Sequence, residues 1–172
     1  MNKDRSMDFG VLPKWKFLED MIGFKNAINL YPPYLGAGIS IEDMDLEFLW
    51  IKVCMDLTFW NQNYVGVHFG GSLYSMCDPF YMFILMKNLG DSYIVWDKSA
   101  KIDFIKTGTG KVRAKFSVSK EEIEKIKETV RIKKKTDWTF YCEVSDESGS
   151  VVAKLEKILY IRRKPETLKN DF

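Results

Sequence analysis

Residues 63–78, Asn63-Tyr-Val-Gly66-Val-His68-Phe69-Gly70-Gly71-Ser72-Leu-Tyr-Ser75-Met-Cys-Asp78, gather the side chains of this sequence best suited to chemistry. The segment holds the single histidine, a Gly-Gly pair, and an aspartate followed by proline. Paired glycines let backbone N–H groups approach a ligand closely, and a helix starting there concentrates partial positive charge. Such donors stabilise the negative charge that develops on a carbonyl oxygen during acyl transfer, and losing one costs about 10²–10³ in rate. Gly71 N–H is the candidate donor, with Ser72 N–H beside it. On a continuous helix Asp78 lies about two turns beyond Gly71, on the same face. Next to Met76, Cys77 and Phe80 its carboxylate is partly desolvated, which suits a general base.

The elements that must position these groups follow from hydrophobic periodicity. Phe17, Met21, Phe24 and Ile28 recur at spacings of four and three, which predicts one amphipathic helix over residues 14–30, ended by Pro32 and Pro33. From Gly36 the period becomes two. Residues 46–55 are apolar at both parities, as in a strand buried on both faces. Residues 72–89 are apolar on nearly every helical face and must be enclosed by other elements. Strands resume over 94–104 and 112–118, with Thr107-Gly-Thr-Gly110 as the turn between them. Ser119 and Glu122 form a capping box for a short charged helix to about Thr129. Trp138 to Val144 and Val151 to Ile161 make a closing hairpin across Asp146-Glu-Ser-Gly149.

This order predicts an α+β domain in which a single antiparallel sheet of about six strands wraps a long central helix, with an extra N-terminal helix covering it. One domain spans 1–172: an N-terminal helical extension over 1–35, a core over 36–163 and a tail over 164–172. An open sheet leaves an edge strand that a second copy can pair with, so a homodimer is expected, with a homotetramer as the next step.

Bulk properties exclude several classes. The 172 residues carry 26 basic and 24 acidic side chains, a net charge of +2, which does not point to nucleic acid. Three cysteines (Cys54, Cys77 and Cys142) without a Cys-x-x-Cys pair, beside one histidine, give neither a disulfide framework nor a metal site. No apolar signal-peptide segment follows Met1, and the apolar run from Phe80 to Leu89 is too short to span a bilayer, so a cytoplasmic protein is expected.

Each candidate also has a purely structural explanation. Asp78-Pro79 matches an N-cap followed by proline at the first helical position, so a helix could start there instead of at Gly71. His68 can be a satisfied buried histidine, and Asn63 a loop residue bonded to its own backbone. The basic run Arg131, Lys133, Lys134 and Lys135 reads as a solvated face, or else as a contact for the phosphates of coenzyme A.

The run from His68 to Tyr81, with Ile94-Val-Trp-Asp-Lys98, resembles an uncharacterised family of the hotdog-fold superfamily over residues 36–162. Its wider kin are acyl-CoA thioesterases of the phenylacetate-pathway type, with the signature Asn-x-x-Gly-x-x-His-Gly-Gly followed by aspartate. Asn63, Gly66, Gly70, Gly71 and Asp78 stand at the matching positions. Phe69 stands where those enzymes carry histidine, and His68 comes one residue earlier. The resemblance implies thioester hydrolysis without cofactor or metal. In it the Gly71 amide polarises the carbonyl and Asp78, contributed across a dimer interface, is base or nucleophile. Asn63 and His68 would position water or substrate, and Phe69, Gly70, Ser72 and Ser75 would line the substrate site. A non-catalytic acyl- or lipid-binding protein on the same fold is the second reading.

Overall fold

The computed structural model describes residues 13–165. Its first elements are three short helices, α1 (Pro13–Ile22), α2 (Phe24–Asn29) and α3 (Pro32–Ala37). The single helix expected over 14–30 is divided at Gly23, whose φ of 80° lies outside the helical region. The prolines do more than stop it. They occupy the opening positions of α3, where a missing N–H costs nothing.

Six strands form one sheet: β1 (Ile39–Met44), β2 (Trp50–Met55), β3 (Tyr93–Phe104), β4 (Val112–Ser117), β5 (Lys135–Asp146) and β6 (Val151–Arg163). Their order is β1-β2-β4-β5-β6-β3, and every neighbouring pair is antiparallel. The expected strand over 46–55 starts only at Trp50. Residues 45–49 turn instead, with Phe48 at a φ of 55° and the Asp45 carboxylate accepting from Leu49 N–H at 3.1 Å. The Ser119 half of the capping box is present: its side chain accepts from Glu122 N–H at 3.1 Å, while the Glu122 carboxylate accepts from Trp138 Nε1–H at 3.0 Å. The charged helix it opens runs Lys120–Lys133, one turn past the expected end. The β5–β6 hairpin turns at Gly149, φ 81°, with Asp146 Oδ1 accepting from Ser148 and Ser150 N–H.

Between β2 and β3 the central helical run from Gly70 to Leu89 is in two pieces, α4 (Gly70–Ser75) and α5 (Phe80–Leu89). Residues 76–79 interrupt it, and the Asp78–Pro79 peptide bond is cis. This corrects the expectation of one continuous helix. Neither local reading of Asp78 holds, because the cap position of α5 is Pro79 and no side chain caps it.

Packing explains why α5 is apolar all round. Phe80 stacks on Phe116 of β4 at 5.1 Å and Tyr81 on Phe140 of β5 at 4.6 Å. The Tyr81 hydroxyl donates to the Tyr141 carbonyl at 2.6 Å, so its one polar atom is satisfied. On the other side Phe24 meets Phe83 edge-on at 5.3 Å, and Tyr34 stacks on Phe80 at 5.7 Å. The N-terminal helices therefore cover the face of α5 that the sheet does not.

Candidate active site

Asp78, in the interruption between α4 and α5, lines a cavity of about 460 Å³. Phe24, Ile28, Tyr31, Met82, Phe83 and Trp96 supply much of its apolar wall, and Ser75 and Asp78 are among its polar groups. Trp15 and Glu19 of α1 also line it, and Glu19 forms an ion pair with Lys87. A largely apolar cavity with a few convergent polar groups is the usual form of a small-molecule site.

Behind Asp78 stands a buried lysine. Lys157 is only 3% exposed and forms an ion pair with Asp78 Oδ1; its Nζ also lies 3.2 Å from Asp97 Oδ1. The second contact is an ion pair without hydrogen-bond geometry, since Asp97 Oδ1 is buried and accepts no hydrogen bond. Burial alone would lower the Lys157 ammonium's pKa, but its hydrogen bond to Asp78 and the charges of Asp78 and Asp97 more than offset this and raise it. Burial pushes the Asp97 carboxyl up to about 6, against the pull of Lys157 and with the help of Asp78. Tyr34 of α3 donates its hydroxyl to the Asp78 backbone carbonyl, and burial first, then Asp78, raises that phenol's pKa. Cys77 hydrogen-bonds Cys142 and is buried, both of which raise its thiol.

The strands explain how these groups meet. On β6 the inward positions are Ala153, Leu155, Lys157, Leu159 and Ile161, all buried. Asp97 lies opposite Leu159 in the β3–β6 ladder, at a register slip between Asp97 and Ser99. Bulges of this kind re-aim side chains next to functional sites. Neither residue was singled out from sequence. The signal was available in Lys157, a charged residue in the middle of an apolar alternation.

The other predicted residues are elsewhere. His68 is 3% exposed; its Nε2–H donates to the Gly110 carbonyl at 2.7 Å, which leaves Nδ1 as a buried acceptor with no partner. Its own N–H donates to the Gly108 carbonyl at 3.1 Å, so it fastens the 63–69 loop to the β3–β4 turn. Asn63 Oδ1 accepts from Val65 and Val67 N–H at 3.0 and 3.2 Å, a local loop bond. Neither is among the residues that line the cavity. The neighbouring Asn61, which sequence reasoning passed over, is 4% exposed and bonds Ala37, Asp56 and Thr58.

Gly70 and Gly71 open α4, where the first N–H groups have no intrahelical acceptor. Both glycines are covered by rings. A Cβ on Gly70 would lie 3.0 Å from Phe104 Cζ, and one on Gly71 would overlap the Phe69 ring. Phe69 itself is exposed, Ser72 is buried, and the Ser75 hydroxyl donates to the Gly71 carbonyl at 2.9 Å. Of the eight predicted residues, Asp78 and Ser75 line the cavity, while Phe69, Gly70 and Gly71 form a separate aromatic-covered helix start. Loss of helical continuity at 76–79 is the reason: Gly71 and Asp78 do not share a helix face. Among the described residues, no helix is long and apolar enough to cross a membrane.

The profile of a family described as a domain of unknown function (DUF4442) matches residues 23–161. No curated protein matches the chain. Among solved structures, a Pseudomonas aeruginosa protein of unknown function, described as a probable thioesterase, superposes with a TM-score of 0.72 at 17% identity, covering 81% of this chain and 93% of its own. A protein of unknown function from Chlorobaculum tepidum gives 0.66 at 16%, covering 88% and 95%. A thioesterase from Haemophilus influenzae gives 0.59 at 14%, covering 86% and 92%. At these identities the likeness establishes the fold, the hotdog arrangement expected from the sequence.

Proposed function

The chain belongs to the DUF4442 family and has the hotdog fold, and on that footing we propose that it hydrolyses acyl thioesters of coenzyme A or of an acyl carrier. One observation carries this reading: Asp78 is among the residues that line an aromatic-rich cavity large enough for an acyl group. Asp78 takes a proton from water, the water oxygen bonds to the thioester carbonyl carbon, and the C–S bond breaks as the intermediate collapses. The sulfur leaves with that proton, so acid and thiol are the products. The Gly71 amide is the oxyanion donor. Because Gly71 and Asp78 do not meet on one helix face, the complete site is formed between two copies. The open edge of β3, beside exposed Phe69, Phe104 and Ile105, is where the homodimer forms. Asn63 and His68 act by holding the glycine turn in place, and Phe69, Gly70, Ser72 and Ser75 shape the approach to it.

The second reading, acyl binding without hydrolysis, is favoured by the Lys157 ion pair on Asp78 and by the Phe69 ring against Gly71. Thiol release from a series of straight-chain and arylacyl-CoA esters separates the two. Hydrolysis by the wild type that is lost in Asp78→Asn supports the enzyme. Retention of an acyl-CoA without turnover supports the binding protein and contradicts the enzyme.

A further inference from the structure

Of the three charged groups clustered beside the cavity, Lys157 and Asp97 have no part in the reaction as written so far. Lys157 of β6, Asp97 of β3 and Asp78 of the α4–α5 connection converge on one ammonium group. A lysine that is 3% exposed has been placed in the core against the ordinary preference for the surface. An apolar residue would fill that inward position at lower desolvation cost. Asp97 Oδ1 is buried in the same cluster, 3.2 Å from the Lys157 ammonium, so both carboxylates share one cation.

Resting on the thioesterase reading, we propose that Lys157 and Asp97 are positioning residues for Asp78: Lys157 fixes the carboxylate that acts as base, and Asp97 shares the proton that Asp78 removes from water. The proton passes from water to Asp78, is held between the two carboxyl groups, and returns through Asp78 to the leaving sulfur. Water supplies both the hydroxyl of the acid and the hydrogen of the thiol, so no other reactant is needed. Asp97 does not line the cavity and acts only through Asp78.

The groups facing Asp97 are Lys157 from β6, Asp78 from the connection and Tyr34 from α3. Lys157 also lies 5.8 Å from the centre of the Tyr74 ring on α4. The cation favours ionised Asp97, while burial and Asp78 oppose it, which leaves the carboxyl titrating near pH 6. Ionised Asp97 is the form able to accept the shared proton, so activity rises with pH through that range.

The test is the pH profile of kcat and KM for thiol release from an acyl-CoA that the wild type hydrolyses. The wild type is expected to gain activity through about pH 6. Asp97→Asn is expected to lose that limb and on the order of 10²-fold in kcat, with KM unchanged. Lys157→Met moves the limb to higher pH, because the cation that favours ionised Asp97 is gone, and Lys157→Arg keeps it in place. Should Lys157→Met not fold, Asp97→Asn and Lys157→Arg still decide the matter, with ¹³C NMR of the carboxyl groups reading the same midpoint in the absence of substrate. An unchanged limb and kcat in Asp97→Asn overturn the proton-sharing role alone. A wild type that hydrolyses no thioester overturns the thioesterase reading and this inference together.

Discussion

Two buried polar centres flank the Gly-Gly turn, and they solve opposite problems. His68, on its N-terminal side, is structural: it gives one hydrogen bond to Gly110 and ties two loops together. The Asp78–Lys157–Asp97 cluster, on its C-terminal side, concentrates three charged groups where one side chain borders a cavity. Cores tolerate a hydrogen-bonded imidazole readily, whereas charges held off water need a reason. The proposed chemistry lies at the centre that holds charge. The expensive centre is the one at the cavity.

The largest expected effect falls on that cluster. Lys157→Met leaves two carboxylates without their cation and should destabilise the fold by about 3–5 kcal/mol, and Lys157→Ala, which adds a cavity, by somewhat more. Urea unfolding of the two variants at neutral pH checks this, and a Lys157→Met variant as stable as the wild type would show that packing, not charge, sets the role of Lys157. Next comes His68→Ala, which strands the Gly110 carbonyl and should cost about 1–3 kcal/mol. Activity per folded molecule should stay near the wild-type value. A collapse of turnover in folded His68→Ala would move the chemistry to the other side of the turn.

The smallest effect is one of pH. The Asp97 carboxyl titrates near 6 in the folded chain, above its ordinary value of 3.8. Folding therefore favours its protonated form. That contribution is complete below the ordinary value and is lost as pH rises through about 6. Thermal unfolding should show Asp97→Asn gaining on the wild type between pH 4 and 7 by a few degrees. Parallel Tm curves for the two would contradict the assignment.

Much of this was legible in the sequence because it depends on local pattern. The switch from helical to alternating periodicity announced the order of elements, Ser119 and Glu122 announced their helix, and the Asp146–Gly149 turn announced its hairpin. The failures lie where two local rules compete. Gly23 breaks an otherwise good amphipathic pattern, and residues 76–79 break an apolar run that periodicity reads as one helix. Asp78 was visible, but what surrounds it was not, because Asp97 and Lys157 reach it through strand pairing over long sequence separations. Lys157 left a trace, as a buried charge among apolar residues on the inward parity of β6, and Asp97 lies within the Ile94–Lys98 run. The roles expected for Asn63 and His68 rested on a motif, and a motif does not say which way a side chain turns within a loop.

The most direct test of the account sets the two centres against each other in one assay. Asp78→Asn and His68→Gln should be compared with the wild type for kcat/KM of thiol release, each corrected for folded fraction. The account expects Asp78→Asn to lose about 10²-fold or more and His68→Gln to stay within several-fold of the wild type. Full activity in Asp78→Asn, or a loss confined to His68→Gln, would contradict it.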